Sequence, residues 1–157
     1  FDYVRRVSGD ADLVWSRLRA LDRIGEFYPE LTEVRVEDAD GAMRRTCGID
    51  ESQWSEEVVV MNDEARELVL QFDLSAGRAP FPPTEMIGGW VVEPTGAGST
   101  VHLWYEYTIR RGWIGEVLAA VMVAGFGRQL APVVERIGRP ANPTASTGPH
   151  EREAPKE

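Results

Sequence analysis

The chain has 157 residues, of which 43% are apolar, and this is enough to form the core of a single domain. Its formal net charge of −9 and the absence of a basic stripe argue against a nucleic-acid partner. Stable membrane insertion is not expected either, because the longest apolar run, over residues 117–127, is too short to span a bilayer.

The first predicted elements are a strand over residues 1–7 and a helix for which Asp10 is the N-cap. A second short helix over residues 22–27 ends before Pro29, which disfavours helix at the preceding residue. Alternating apolar residues and polar turns then predict six more strands. These strands cover residues 32–37, 43–49, 54–61, 67–74, 84–93 and 100–109.

A long helix is predicted over residues 113–137, where apolar residues recur every four positions along one face. That stripe consists of Leu118, Met122, Phe126, Leu130 and Val134. Residues 139–157 are rich in Pro, Thr, Ser and charge, so we expect a disordered tail after a folded domain over residues 1–138. The apolar start of the helix suits either a homodimer contact or lipid delivery.

The single cysteine, Cys47, rules out an internal disulfide framework, and a buried, inert thiol is expected. The start of the chain lacks the basic and then apolar pattern of a signal peptide, which favours a cytoplasmic protein. No His, Cys and carboxylate cluster has the spacing of metal ligands, and no nucleotide-binding motif is present. Neither a metal nor a cofactor is therefore expected.

Several short segments occur in a characteristic order: ADLVW (11–15), FYPEL (27–31), GAMRR (41–45), SEEV (55–58), ND (62–63), WVVEP (90–94), GSTVHLWYEY (98–107) and GRQLAPVVERI (127–137). With the order of elements, they resemble the START/Bet v 1-like (SRPBCC) superfamily, also called the polyketide cyclase/dehydrase group, over residues 1–139. The resemblance implies an α+β helix-grip fold. In it, a curved antiparallel sheet of about seven strands wraps around the C-terminal helix, with two short helices after the first strand and a ligand cavity inside.

The resemblance also implies which side chains face that cavity, with Phe81 on a gate loop. The remaining inward residues are Trp54, Glu56, Val58, Val60, Met86, Gly88, Trp90, Leu103, Tyr105, Tyr107, Leu118, Met122 and Phe126. The strand that carries Glu56 is apolar on both faces, and a slip of one residue would bring Glu57 inward instead. The aromatic members either stack on flat ligands or simply form the core.

Glu56 is the main catalytic candidate, because an apolar cavity disfavours its ionised form and would let it exchange protons near neutral pH. Alternatively, Glu56 pairs with an internal arginine or hydrogen-bonds a ligand or water. Arg45 is such a partner if its strand face is inward; there it would bind a carboxylate or neutralise Glu56, and otherwise it is a surface charge. Tyr105 and Tyr107 offer hydroxyl groups for a carbonyl or enolate oxygen, or pack in the core.

Gly88 and Gly89 lie within a predicted strand, which indicates a bulge or the close approach of a bulky group, either a ligand or the last helix.

We expect the chain to bind a small hydrophobic or aromatic molecule. The family suggests a cofactor-free polyketide cyclase or dehydratase of bacterial secondary metabolism. The alternative is a non-catalytic carrier or sensor of a lipid or quinone.

Overall fold

The computed structural model describes residues 1–74, 83–109 and 113–140. Within the last helix, the side chains of residues 113–116, 118, 119, 122, 123 and 126 are outside this description. The predicted gate residue Phe81 and residues 141–157 of the predicted tail therefore lie outside the described residues, as do the side chains of Leu118, Met122 and Phe126.

The described residues form a seven-stranded, fully antiparallel sheet in the order β1-β7-β6-β5-β4-β3-β2. The strands are β1 (Asp2–Val7), β2 (Glu33–Ala39), β3 (Ala42–Ile49), β4 (Ser52–Asn62), β5 (Glu67–Asp73), β6 (Glu85–Thr95) and β7 (Gly98–Thr108). The described residues also form two helices, α1 (Ala11–Arg19) and α2 (Trp113–Ile137), and a 3₁₀ helix (Leu21–Glu26). This is the predicted helix-grip fold, which is confirmed.

Helix α1 begins where the sequence predicts it. The Asp10 carboxylate accepts a hydrogen bond of 2.8 Å from the backbone N–H of Leu13, which satisfies one of the free donors at the helix start. Trp15 is buried on the inner face of α1, and its indole Nε1 donates to Asp63 Oδ1 at 2.8 Å. This hydrogen bond ties α1 to the turn between β4 and β5.

The C-terminal half of α2 is packed into the core, with Val134 and Ile137 fully buried. Arg17 of α1 donates from Nη1 to the backbone oxygen of Ile137 at 2.6 Å, so a cation sits at the helix C-terminus, where the helix dipole favours positive charge. Among the described residues, no helix is long and apolar enough to cross a membrane.

A β-bulge in β4 decides which of its side chains face inward. Val58 pairs with Leu70, but the next pair is Val60 with Val69, so Val59 is the extra residue. The bulge turns Val60 to the outer face and brings Met61 inward, where it packs against the core. The prediction that Val60 faces inward is therefore wrong, because strict alternation does not survive an inserted residue.

Candidate functional site

A cavity of about 450 Å³ lies between the inner face of the sheet and α2. Most of its wall is apolar or aromatic, which is typical of a site for a small molecule. The 3₁₀ helix, strands β3 to β7 and helix α2 all contribute to it. Its apolar lining includes Ile24, Leu31, Leu70, Phe72, Met86, Trp90, Leu130 and Val133.

The structure brings most of the described candidate residues to this cavity. The predicted residues that line it are Trp54, Glu56, Met86, Gly88, Trp90 and Tyr105. Leu103 is instead fully buried in the core, and Val58 and Tyr107 are partly buried against the core, so these three are not in the cavity wall. Phe81 and the side chains of Leu118, Met122 and Phe126 lie outside the described part of the chain.

The polar centre of the cavity is a buried ion pair between Arg45 and Glu56, which are 6% and 4% exposed. Arg45 donates from Nε to Glu56 Oε2 at 2.8 Å and from Nη2 to the same oxygen. The other carboxylate oxygen, Oε1, accepts a hydrogen bond of 2.8 Å from the indole Nε1 of Trp54. Both oxygens of Glu56 are thus held by donors, so the geometry matches the alternative in which Glu56 pairs with an internal arginine.

The neighbouring pair on the same two strands has the opposite orientation. Arg44 and Glu57 lie on the outer face, with 3.1 Å between Nη2 and Oε2, and each side chain is 44% exposed. The structure therefore has the register in which Glu56, rather than Glu57, faces the cavity. It also decides the position of Arg45, which is inside and not on the surface.

The charge of Arg45 is maintained by its partner. Burial acts to lower the pKa of the guanidinium, but the negative charge of Glu56, the neighbouring Cys47 and the hydrogen bonds to Glu56 together outweigh this, and the pKa lies above its ordinary value. The pKa of Cys47, on the same inner face, is also raised, but here burial is the main cause: burial, and then the Glu56 charge, raise the pKa of the thiol to about 12. Cys47 is therefore a neutral thiol at ordinary pH.

Tyr105 reaches the same cluster from β7. Burial, and then the negative charge of Glu56, raise the pKa of its hydroxyl group. The hydroxyl therefore stays protonated at ordinary pH and can act as a hydrogen-bond donor rather than as a base. Its ring packs edge-on against Phe72 at a centroid distance of 5.9 Å, which fixes its orientation.

The glycines of β6 make room for aromatic side chains of β7. A Cβ atom on Gly88 would overlap the ring of Tyr105, and one on Gly89 would overlap the indole of Trp104. Gly88 pairs with Tyr105 and Gly89 with Trp104, on opposite faces of the sheet. The bulky group expected near these glycines is therefore neither a ligand nor α2, but the two neighbouring aromatic rings.

Four polar residues of the cavity wall were not among the predicted site residues: Tyr28, Asp50, Ser52 and Gln129. Asp50 and Gln129 are also exposed, so this end of the cavity meets solvent. Tyr28 follows the 3₁₀ helix within the FYPEL segment, which was the only sequence signal that could have suggested it. Among the described residues, no three His, Cys, Asp or Glu side chains form a metal site.

Comparisons with known proteins agree with this fold. The family model "Polyketide cyclase / dehydrase and lipid transport" matches residues 1–139. A comparison with curated proteins finds no sequence that is significantly similar.

Solved structures show the same fold at low sequence identity. The Zhui aromatase/cyclase from Streptomyces sp. R1128 has a TM-score of 0.71 and 14% identity, covering 87% of this chain and 89% of that one. Norcoclaurine synthase from Thalictrum flavum has a TM-score of 0.67 and 15% identity, over 87% and 91% of the two chains.

The di-domain ARO/CYC BexL of the BE-7585A biosynthetic pathway gives a TM-score of 0.68 at 21% identity. That match covers 85% of this chain and 44% of BexL, so this chain corresponds to about half of the two-domain protein. Because the family model spans nearly all of the described residues and the fold agrees with these structures, the chain belongs to the polyketide cyclase / dehydrase and lipid transport family.

Proposed function

We propose that the cavity binds a small hydrophobic or aromatic molecule and that the protein acts on it as a cofactor-free polyketide cyclase or dehydratase in bacterial secondary metabolism. The observation that carries this proposal is an apolar cavity of about 450 Å³ in whose wall Arg45 and Glu56 form a buried ion pair beside the partly buried Tyr105. An apolar wall with a few convergent polar groups is the usual form of a site that orients a small molecule.

The proposed reaction is an intramolecular aldol condensation. A base removes an acidic proton from a methylene group between two ketones, and the enolate carbon attacks a ketone carbon of the same chain. The resulting alkoxide takes up a proton, and loss of water forms the double bond. No oxidant or reductant is needed, and the cavity would contribute mainly by folding the chain into one reactive conformation.

The residues of the cluster fit separate roles in this reaction. Arg45 and the neutral Tyr105 hydroxyl would stabilise the enolate or alkoxide oxygen by donating hydrogen bonds. Glu56 would accept the methylene proton through a lone pair that Arg45 and Trp54 do not use. Tyr107 is partly buried on the same face but outside the cavity wall, so we assign it a supporting rather than a direct role.

A second candidate is a non-catalytic carrier or sensor of a lipid or quinone. One specific observation favours it: both oxygens of Glu56 already accept hydrogen bonds from protein donors, which is also the arrangement of a purely structural ion pair. In that case the cluster would only orient the ligand. The cytoplasmic location and the homodimer stay predictions under either candidate.

The first experiment is native mass spectrometry of freshly purified protein, followed by denaturation and identification of any released molecule. The second experiment adds a synthetic linear triketone ester to the wild type, to Glu56→Gln and to a blank, and compares the cyclised products. If the wild type changes the ratio of cyclised products relative to the blank and Glu56→Gln does not, the result supports the cyclase. A ratio that never departs from the blank, together with a co-purified lipid or quinone, supports the carrier.

A further inference from the structure

We propose that Glu56 sets the charge selectivity of the cavity, so that the protein accepts uncharged ligands with a hydroxyl or carbonyl group and rejects their carboxylate or sulfonate counterparts. This inference rests on the proposed function only in assuming that the cavity binds a small molecule. It adds that the bound molecule is uncharged. If the protein is a lipid carrier, free fatty acids are therefore excluded as its ligands.

The first argument is the geometry of Arg45. A buried arginine in an apolar cavity would ordinarily attract an anion, because its planar fork matches a carboxylate or sulfonate with two parallel hydrogen bonds. Here Nε and Nη2, two of the three guanidinium nitrogens, already donate to Glu56 Oε2. A carboxylate or sulfonate that bound this fork with two parallel hydrogen bonds would therefore have to displace Glu56, which belongs to the protein and is anchored in turn by Trp54.

The second argument is the charge of the wall. Among the described residues that line the cavity, three are charged: Arg45, Glu56 and Asp50. Their formal charges of +1, −1 and −1 sum to −1, so a ligand anion would enter a site that carries negative charge. An anion would also lose its hydration without gaining an unpaired cation in exchange, which is unfavourable in an apolar site.

The third argument is that the wall contains neutral hydrogen-bonding groups. Tyr105 and Tyr28 both line the cavity. Burial is the main cause that raises the pKa of each hydroxyl group, so both stay neutral at ordinary pH. A ligand ketone can accept a hydrogen bond from such a hydroxyl, and a ligand phenol can donate one, without bringing a charge into the cavity.

The test uses two fluorescent probes that differ in one charged group: N-phenyl-1-naphthylamine, which is uncharged, and 8-anilinonaphthalene-1-sulfonate. Each is titrated into the wild type, Glu56→Gln and Glu57→Gln. Glu57→Gln removes the same charge from the outer face, where Glu57 pairs with Arg44, and is the matched control. We expect the wild type and Glu57→Gln to bind the uncharged probe at least about tenfold more tightly than the sulfonate.

Glu56→Gln leaves Arg45 without a counter-charge, so its affinity for the sulfonate should rise by about tenfold or more, and the preference should shrink or reverse. Equal binding of the two probes by the wild type, or an unchanged preference in Glu56→Gln, overturns the inference while leaving cavity binding intact. Binding of neither probe to the wild type would overturn the proposed binding function and this inference together.

A second measurement keeps the inference testable if Glu56→Gln does not fold, as judged by circular dichroism. The two titrations of the wild type are repeated in high salt, which screens the surface charges but has little effect on a buried ion pair. A preference for the uncharged probe that persists in high salt supports a selectivity set inside the cavity. A preference that disappears assigns it to the net surface charge of −9 and overturns the inference.

Discussion

Arg45 of β3 and Glu56 of β4 occupy directly opposite positions in neighbouring strands and form an ion pair on the inner face of the sheet. One residue along, Arg44 and Glu57 repeat the same pairing on the outer face. Because side chains alternate between the two faces of a strand, two identical cross-strand pairs experience opposite environments. The chain thus contains a buried ion pair and an exposed one that serves as its internal control.

We expect the two pairs to differ strongly in their contribution to stability. Glu56→Gln should lower the free energy of unfolding by roughly 3 kcal/mol, because it leaves the buried Arg45 charge uncompensated. Glu57→Gln should change it by less than about 1 kcal/mol, since that pair is exposed to solvent. Urea denaturation followed by fluorescence would measure both values, and equal effects of the two variants would contradict the buried placement of Glu56.

Gly88→Ala should destabilise the protein by about 1–3 kcal/mol, because the added methyl group overlaps the ring of Tyr105 and forces it or the strand to move. Gly96→Ala is the control, since nothing lies within 4 Å of its Cβ position. Thermal melts of both variants would measure the difference. A Gly88→Ala protein as stable as the wild type would mean that Tyr105 is not packed over this glycine.

The hydrogen bond between Trp15 and Asp63 gives a third prediction. Asp63→Ala should cost about 1–3 kcal/mol, because it leaves the buried indole N–H of Trp15 without an acceptor. Asp63→Asn keeps a carbonyl oxygen at that position and should lose less stability, although it also removes the charge that Arg19 contacts at 3.0 Å. Chemical denaturation of the two variants would test this order, and a larger loss in Asp63→Asn would contradict it.

Stability should fall at alkaline pH because of Cys47 and Tyr105. Burial raises the pKa of Cys47 from its ordinary value of 9.0 to about 12 in the folded protein and also raises that of Tyr105. Between pH 9.0 and about pH 12, the Cys47 thiol is still protonated in the folded state but has lost its proton in the unfolded state. The free energy of unfolding therefore decreases as the pH rises above 9. Denaturation curves from pH 8 to pH 11 would show the slope.

Cys47→Ala is the variant that tests the cause of this slope. Without the thiol, the decrease in the free energy of unfolding above pH 9 should be smaller, and what remains should come from Tyr105. An identical slope in the wild type and in Cys47→Ala would show that the thiol is not buried in the folded protein.

The order of strands and helices could be predicted from the sequence because each element has a local signature. Asp10 marks a helix start, and in β7 apolar or aromatic residues recur at every second position from Val101 to Tyr107. The same alternation predicts that Tyr105 shares a face with Val101 and Leu103, and the resemblance to the family predicts that this face is the inner one. Such local patterns depend only on residues that are close together in the sequence, so they can be recognised without knowing the tertiary contacts.

The tertiary structure alone decided which residues pair across strands. The bulge at Val59 turns the Val60 side chain to the outer face. The register between β3 and β4 places Arg45 opposite Glu56, inside the cavity. The tertiary structure also shows that the ring of Tyr105, rather than a ligand, fills the space over Gly88. Register is set by contacts between residues distant in sequence, and one inserted residue changes it, so alternation within a single strand could not determine the polar cluster.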